Sequence, residues 1–308
     1  MAIIKRIIVF FMAKEVLIIA VIKRILALFI AFVTFILGLL NEKADNVRYK
    51  DLSYGNEYIQ KMDVYYPERM DETVEAFLLI HRGAWSAGYK EMYSELAGNL
   101  AKEGFIAATM NYRKFPQGAT YKEMIEDIGA ALSALKEKSA ADGITVSRVA
   151  LYGDSAGGHL SLLYAYKYAE LSPIPIAFCV GRVAPTDFYD YGLFYGAGKL
   201  VTPLVLSQLT GAMITPISME ACRPEIAAAS PITFVTEDTL PTILAYGGKD
   251  TLVPLSSGVA LRELLEVAGV DYAYFEYPNS GHNLDSDLDA DIADEFYRTL
   301  IEFAAKYF

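Results

Sequence analysis

The sequence is poor in the residues that bind transition metals or form disulfides. Its 308 residues include three histidines and two cysteines, Cys179 and Cys222, and it contains neither a CxxC pair nor a Cys/His cluster. Two isolated cysteines provide no disulfide framework, and the ligand spacing of a zinc site is missing. We therefore expect both cysteines to be buried apolar residues and expect no bound metal.

The sequence also lacks the surplus of basic residues that is typical of nucleic-acid-binding proteins. Its 27 basic and 38 acidic residues give a formal net charge of −11, which argues against a nucleic-acid partner. Residues 1–43 carry six basic and two acidic side chains, so this segment has a charge of +4 and the remainder −15. No internal repeat or Gly-rich phosphate-binding loop is present. The pattern indicates an acidic domain that follows a basic, apolar head.

Residues 1–44 are predicted to form a membrane anchor or signal segment with a short linker. The longest uncharged run, 25–40, has 16 residues and follows Lys23 and Arg24, whereas a spanning helix needs about 20. This segment is compatible with a signal-anchor, a cleaved secretory signal or an amphipathic helix on the membrane surface. A core helix of a soluble protein is a further alternative. No small-x-small cleavage site follows residue 40, which favours an anchor. Basic residues before the span would place the following domain outside the cytoplasm, and cleavage would make it secreted.

Residues 45–308 are predicted to form the catalytic domain. The polar segment 41–56 is predicted to be a linker into its first strands, and strand and helix patterns alternate after it. The predicted strands are 58–66, 76–80, 105–110, a strand around Val149, 174–180, 242–246 and 272–277. The predicted helices are 89–103, 121–138, 160–169, 259–267 and 289–308. This alternation predicts an α/β fold with a mostly parallel, doubly wound sheet. Residues 182–235 lack strand rhythm and are predicted to be a helical cap inserted into that fold.

Ser155 lies in the sequence Gly153-Asp154-Ser155-Ala156-Gly157, between a predicted strand and a predicted helix. In this context Gly-x-Ser-x-Gly is typical of a nucleophile elbow, a tight turn that lifts the serine hydroxyl away from the sheet. The flanking glycines leave room where a Cβ would crowd the turn. Ser155 is therefore the candidate nucleophile.

A serine nucleophile needs a base within hydrogen-bonding distance, and histidine suits that role near neutral pH. His159 follows Ser155 on the predicted helix, from which the elbow points the serine away, so a structural role is expected. His81 ends a strand before a Gly-containing loop, where a histidine commonly fixes the loop. His282, in a Gly-rich loop after the last predicted strand, is the candidate base; its alternative is a surface-loop histidine.

The base needs a carboxylate to hold its tautomer. Asp250 follows a predicted buried strand and lies between Ser155 and His282, which is the order expected for this elbow. The competing carboxylates in this half of the chain are Asp238, Asp271, Asp285 and Asp287, with Asp187 and Asp190 in the predicted cap. The oxyanion of an acyl-transfer reaction would be bound by backbone N–H groups, one from Ala156 and others from Gly83 and Ala84.

Several motifs in chain order resemble those of the hormone-sensitive-lipase and BD-FAE-like carboxylesterases of the α/β-hydrolase superfamily. They are His81-Arg82-Gly83-Ala84-Trp85, Asn111-Tyr112-Arg113 with Pro116, Glu126-Asp127, Gly153 to Gly158, Ser230-Pro231-Ile232, Gly248-Lys249-Asp250 with Val253-Pro254, and Gly281-His282. The resemblance covers about residues 50–308. It implies the hydrolase fold, hydrolysis of a small-molecule ester through an acyl-serine intermediate, and no metal or organic cofactor.

One position departs from the family, whose loop is usually His-Gly-Gly-x. Arg82 replaces the first glycine. If that position required a positive φ, an arginine would be strained there. Otherwise Arg82 would add positive charge beside the oxyanion loop and favour an acidic ester, or simply lie on the surface, which we expect.

The expected activity is cleavage of small or medium carboxylic esters, acetyl esters among them. The same triad would also serve an amidase, formamidase or peptidase, and some proteins of this fold bind partners without catalysis. The sequence does not indicate an oligomeric state.

Overall fold

The computed structural model of the chain describes residues 47–189 and 201–308, which belong to one compact unit, Ala44–Phe308. The strands are β1 Val47–Ser53, β2 Lys61–Tyr65, β3 Thr73–Ile80, β4 Ile106–Met110, β5 Thr145–Asp154, β6 Ile176–Arg182, β7 Thr242–Gly247 and β8 Tyr272–Tyr277. The helices are α1 Ser94–Lys102, α2 Tyr121–Ala141, α3 Ala156–Lys167, α4 Val201–Thr210, α5 Arg223–Ala229, α6 Leu255–Ala268 and α7 Ala290–Tyr307.

The eight strands form one sheet in the order β1-β2-β4-β3-β5-β6-β7-β8. The pairs β1–β2 and β2–β4 are antiparallel, and the strands from β4 to β8 are mutually parallel. The predicted α/β fold with a mostly parallel, doubly wound sheet is confirmed. The antiparallel pairs occur at one edge, so the carboxyl ends of the six parallel strands, β3 to β8, meet along one rim.

Helices cover both faces of the sheet because both faces are apolar. In β3, Leu78 and Ile80 face one core cluster, while Phe77 and Leu79 face the other. Helices α2, α3 and α6 contribute to the first cluster, and α1 and α7 contribute to the second. Such two-sided burial is what a parallel sheet of continuous apolar strands requires. The apolar positions predicted for α2, which include Met124, Ile128 and Leu135, are all fully buried.

Two predicted elements differ from the structure. The segment 41–56, predicted to be a linker, contains β1, whose residues are largely polar because this edge strand is partly exposed. The predicted helix 89–103 begins with a 3-10 turn, Lys90–Tyr93, before α1 continues it. In that turn the buried Lys90 ammonium forms ion pairs with Asp63 and Glu91 at 2.8 and 2.6 Å.

The described part of the predicted cap, between β6 and β7, is helical. It includes α4, α5 and a 3-10 turn, Pro231–Phe234, and no strand occurs among its described residues. The predicted N-terminal anchor lies outside the described residues. Within residues 47–189 and 201–308, none of the helices combines the length and the apolar character needed to cross a bilayer.

Candidate active site

Three chemically active side chains lie at the carboxyl ends of neighbouring strands. Ser155 directly follows β5, Asp250 follows β7, and His282 follows β8. Since these strands are parallel, their ends share the rim at which ligands bind in open α/β sheets.

The backbone of Ser155 adopts the conformation of a tight strand-to-helix turn. Its φ and ψ are 52° and −119°, a strained region for a residue with a side chain. Its N–H donates to the carbonyl of Arg182 at 2.7 Å, so the end of β6 holds the turn. A Cβ on Gly157 would lie 1.9 Å from the Ile80 carbonyl oxygen, and one on Gly153 would lie 2.3 Å from the Gly157 backbone. Both glycines are therefore required by close backbone approach.

A continuous chain of hydrogen bonds joins the three side chains. His282 Nε2 lies 2.9 Å from Ser155 Oγ, and His282 Nδ1 lies 2.7 Å from Asp250 Oδ2. The Asp250 side chain is fully buried, whereas that of His282 is 19% exposed. An ionised carboxylate accepts hydrogen bonds only, so Nδ1 carries the proton and Nε2 accepts from the serine hydroxyl. This tautomer is the one that can remove the proton of Ser155.

The carboxylate of Asp250 is held by the backbone that follows it. Its Oδ1 accepts hydrogen bonds from the N–H groups of Leu252 and Val253, at 2.8 and 3.1 Å. Both oxygens of the buried carboxylate are thereby hydrogen-bonded, which a buried charge requires. The competing carboxylate Asp271 instead pairs with Lys306, at 2.5 Å.

His159 is a structural residue, as expected from the sequence. It is fully buried, and its Nδ1 accepts a hydrogen bond from Trp85 Nε1 at 3.1 Å. Its Nε2 donates to the Ala229 carbonyl at 2.8 Å. Burial lowers the pKa of His159 to about 4, so the ring is neutral and both nitrogens are already used.

His81 fixes the loop that follows β3. The ring is fully buried and stacks on Tyr112, with ring centroids 4.4 Å apart. Its Nδ1 donates to the carbonyl of Arg82 at 2.8 Å, and burial lowers its pKa to about 3. A ring that stays neutral and is stacked in this way orders the loop and does not shuttle protons.

The loop that begins at His81 contains three consecutive residues with positive φ: Gly83 at 134°, Ala84 at 49° and Trp85 at 56°. A Cβ on Gly83 would lie 2.2 Å from the Ala87 carbonyl oxygen, so glycine is required there. Arg82 is not among the residues with positive φ. The replacement of the family glycine at this position is therefore free of backbone strain.

The guanidinium of Arg82 does not simply point into solvent. Its Nη1 donates to Asn283 Oδ1 at 2.8 Å, and Asn283 directly follows His282. This contact could not be predicted from the sequence, because its partners are 201 residues apart. The predicted surface position of Arg82 is correct to the extent that the side chain is only half-buried.

The N–H groups that were predicted to bind an oxyanion belong to two segments. Ala156 is the first residue of α3, and the N–H groups of a first helical turn have no partner within the helix. Gly83 and Ala84 lie in the strained loop after β3. A Cβ on Gly157 would lie 1.9 and 2.7 Å from the carbonyl oxygens of Ile80 and His81, so the start of α3 lies against the base of that loop.

Arg182 also supports the elbow, a role that the sequence analysis did not assign. Its Nη1 donates to Tyr152 Oη at 2.8 Å and lies 3.6 Å from the carboxylate of Asp154. Asp154 and Arg182 are paired across β5 and β6. The sequence predicts Arg182 at the start of the cap, because the apolar run of β6 ends before it. In the part of the chain that the structure describes, no three His, Cys, Asp or Glu side chains are grouped as metal ligands.

Comparison with known proteins finds similarity to carboxylic ester hydrolases. The model of the BD-FAE family matches residues 62–265. An isoprenylcysteine alpha-carbonyl methylesterase from Arabidopsis thaliana is 27% identical over 76% of this chain and 56% of its own length. The probable carboxylic ester hydrolase LipM from Mycobacterium tuberculosis is 30% identical over 81% of this chain and 59% of its own length. The chain thus spans somewhat more than half the length of these relatives.

Solved structures show the same fold at lower sequence identity. Esterase B from Lactobacillus rhamnosis superimposes with a TM-score of 0.71 and 20% identity, covering 93% of this chain and 96% of its own. A carbohydrate esterase from gut microbiota superimposes with a TM-score of 0.68 and 22% identity, covering 82% of this chain and 97% of its own.

Proposed function

The chain belongs to the BD-FAE family of α/β-hydrolase carboxylesterases, and from this premise we propose that it is a serine carboxylesterase with a Ser155–His282–Asp250 triad. The observation that carries the proposal is the hydrogen-bonded chain from Ser155 Oγ through His282 to Asp250, with distances of 2.9 and 2.7 Å. A nucleophile, a base and an orienting acid are what acyl transfer through a serine requires.

In the first half of the reaction Ser155 Oγ attacks the ester carbonyl carbon, while its proton passes to His282 Nε2. Asp250 stabilises the imidazolium that forms, through the Nδ1–H hydrogen bond. The tetrahedral intermediate then expels the alcohol, which takes the proton from Nε2. The acyl-serine is hydrolysed in the second half by a water that His282 deprotonates, and the carboxylic acid and free Ser155 are released.

The negative charge on the carbonyl oxygen would be stabilised by the N–H groups of Ala156, Gly83 and Ala84. The N-terminus of α3 adds the positive end of its helix dipole beside Ser155. The strained backbone of residues 83–85 supports this assignment, because strain at a loop is retained where it orients groups for function. Removal of one such donor typically costs about 100- to 1,000-fold in kcat.

The proposed substrates are carboxylic esters of small or medium acyl chain length, acetyl esters among them. The aromatic content of the predicted cap sequence, residues 182–235, supports an apolar acyl or alcohol pocket. The names of the relatives point to different esters, a prenylated methyl ester and carbohydrate esters.

A panel of p-nitrophenyl esters of increasing acyl length, with matched anilides, tests the proposal. We expect ester turnover, no comparable anilide turnover, and loss of activity and of fluorophosphonate labelling in Ser155→Ala. Ser161→Ala is the matched control, because Ser161 lies in the same helix with a buried hydroxyl that has no hydrogen-bond partner. Activity that survives Ser155→Ala would refute the triad, and preferential anilide hydrolysis would identify an amidase.

We also propose that residues 1–44 anchor the domain to a membrane, with the catalytic part outside the cytoplasm. The support is the sequence of this segment, which is apolar, carries a charge of +4 over residues 1–43 and has its basic residues before the longest uncharged run. Carbonate extraction of membranes and the intact mass of the recovered protein test this. A mass that lacks the segment would show cleavage and a secreted domain instead.

A further inference from the structure

We propose that Arg82 is a positioning residue whose hydrogen bond to Asn283 holds His282 in register with Ser155. The proposal rests on the function proposed above, since it assumes that His282 is the base. It assigns a role to the position at which this chain departs from its family. The bond joins the loop after β3, which carries the proposed oxyanion donors, to the loop that carries His282.

The Arg82 end of this bond is rigid. The carbonyl of Arg82 accepts a hydrogen bond from the buried, stacked His81 ring at 2.8 Å. A Cβ on Gly88 would lie 2.0 Å from the same carbonyl oxygen, which shows how closely the loop folds back on itself. The guanidinium therefore extends from fixed backbone, and a hydrogen bond from it can restrain its partner.

The His282 loop is firmly held at its base. The buried Asp289 carboxylate accepts hydrogen bonds from the backbone and side chain of Asn279, at 3.0 and 2.9 Å, and from Ser280 Oγ at 2.6 Å. Ser280 Oγ in turn accepts from the N–H of Ser286 at 3.2 Å. These contacts fix both ends of the loop, residues 279 and 286, but none of them reaches its tip.

The tip of the loop, His282 and Asn283, is more exposed than its base. The His282 ring is held by Asp250 and Ser155, and the exposed Asn283 is held by Arg82. The Ser155 bond is broken and remade during turnover, because Nε2 exchanges protons with the serine, the alcohol and water. The Arg82–Asn283 bond stays unchanged through those steps and so can keep the imidazole aligned when Ser155 is acylated.

Arg82 has no carboxylate within 4.0 Å among the described ion pairs, so its charge is directed to the amide of Asn283. A hydrogen bond with one charged partner is stronger than a neutral one, and a partly exposed bond of this kind is worth about 3- to 10-fold in an equilibrium or a rate. We therefore expect a moderate effect on catalysis.

The test is a double-mutant cycle in the full-length protein with a neutral short-chain p-nitrophenyl ester. Arg82→Met and Asn283→Ala should each lower kcat by about 3- to 10-fold with little change in KM. The double variant should lose no more than either single variant, since both remove one interaction. Asn283→Asp should retain kcat, because its carboxylate also accepts from the guanidinium.

Arg148→Met is the matched control. It removes an arginine whose Nη1 donates to the Tyr307 carbonyl at 2.6 Å, in the first half of β5 and away from the rim. Its kcat should be unchanged. The pH dependence of kcat should also differ from that of the parent in Arg82→Met and Asn283→Ala, because His282 is less restrained in these variants; a merely structural role would leave it unchanged.

Three results would overturn the proposal. The first is a double variant in which the losses of the two single variants multiply, and the second is a kcat within about 2-fold of the parent in both single variants. The third is an effect confined to a higher KM for an ester with a negatively charged acyl group. The last result would make Arg82 a substrate-binding residue. Failure of the proposed function is separable, because it would appear as activity retained in Ser155→Ala whatever the cycle shows.

Discussion

Trp85 and His159 are joined by a hydrogen bond in which the indole N–H donates to Nδ1 at 3.1 Å. The bond connects the strained loop after β3 to α3, the helix that follows the proposed nucleophile Ser155. Through its other nitrogen His159 also binds the carbonyl of Ala229, at the end of α5. One neutral imidazole therefore joins the loop after β3, helix α3 and the described part of the predicted cap.

Removal of this ring should destabilise the protein strongly. His159→Ala leaves a cavity and two buried groups, the Trp85 N–H and the Ala229 carbonyl, without a partner, and each unsatisfied group costs about 1–3 kcal/mol. We expect the free energy of unfolding in urea to fall by about 2–5 kcal/mol. His159→Gln, which offers both a donor and an acceptor, should recover part of the loss. A folded, fully stable His159→Ala that has lost activity would instead indicate a catalytic role.

The two buried histidines predict a loss of stability on mild acidification. Burial holds the pKa of His81 at about 3 and that of His159 at about 4, whereas an unfolded histidine titrates near about 6.5. Below that pH the unfolded chain binds protons that the folded chain excludes, so the free energy of unfolding falls as pH falls. The slope rises toward about 1.4 kcal/mol per pH unit for each histidine below about pH 6, where the unfolded ring is mostly protonated.

Urea unfolding between pH 7 and 5 measures this slope. Most carboxylates stay ionised in both states over this range and contribute little to it. His159→Gln should remove about half of the slope, since one of the two titrating groups is gone. A parent protein that is equally stable at pH 7 and pH 5 would contradict the buried, neutral state of both rings.

The sequence predicted the parts of the structure that follow from local pattern. The order of strands and helices, the buried face of α2 and the positions of Ser155, Asp250 and His282 at strand ends could be inferred because periodicity and turn residues are local signals. The polar strand β1 was missed, since an exposed edge strand lacks the apolar alternation on which such prediction depends.

Contacts between distant segments could not be predicted in this way. The Arg82–Asn283 and Trp85–His159 bonds join residues 201 and 74 positions apart, and nothing in either local sequence specifies its partner. The positive φ values at Ala84 and Trp85 were likewise invisible, because neither is a residue type that favours that conformation. The identity of residue 82 alone does not show whether its backbone is strained, and in the structure the strain lies in the residues that follow it.

Addition of one methyl group at Gly157, in the turn after Ser155, should lower both stability and activity, whereas the same change at an unhindered helix glycine should not. In Gly157→Ala the new Cβ would lie 1.9 Å from the Ile80 carbonyl oxygen, which belongs to a central strand and cannot move away. We expect a loss of stability of about 1–3 kcal/mol or more and a large loss of esterase activity, because the elbow must shift.

Gly98→Ala is the matched control for that substitution. Gly98 lies within α1, and no atom lies within 4 Å of its added Cβ. Alanine is favoured over glycine in a helix interior by about 0.5–1 kcal/mol, so this variant should be as stable as the parent or more so. Thermal unfolding and ester turnover of both variants check the prediction, and equal stability of the two would refute the tight contact at Gly157.

Replacement of Asp250 by asparagine should lower kcat, because it changes the tautomer of His282, and should leave substrate binding nearly unchanged. The amide can donate its N–H group to His282 Nδ1, which then acts as an acceptor. The ring proton therefore lies on Nε2, so Nε2 can no longer deprotonate Ser155. In a triad of this type the loss in kcat is about 10,000-fold, with the geometry of the site retained. We expect such a loss, with KM and unfolding temperature nearly unchanged, in steady-state kinetics and thermal unfolding.

Asp285→Asn is the appropriate comparison, because Asp285 is exposed and lies three residues from His282 along the same loop. It should retain full activity. The opposite result, loss of turnover in Asp285→Asn and full turnover in Asp250→Asn, would contradict the assignment of Asp250 as the orienting carboxylate. The 2.7 Å contact between Asp250 and His282 would then have no catalytic role. A large loss in Asp250→Asn that is restored as pH rises, as hydroxide becomes available to deprotonate Ser155, would further support the tautomer explanation.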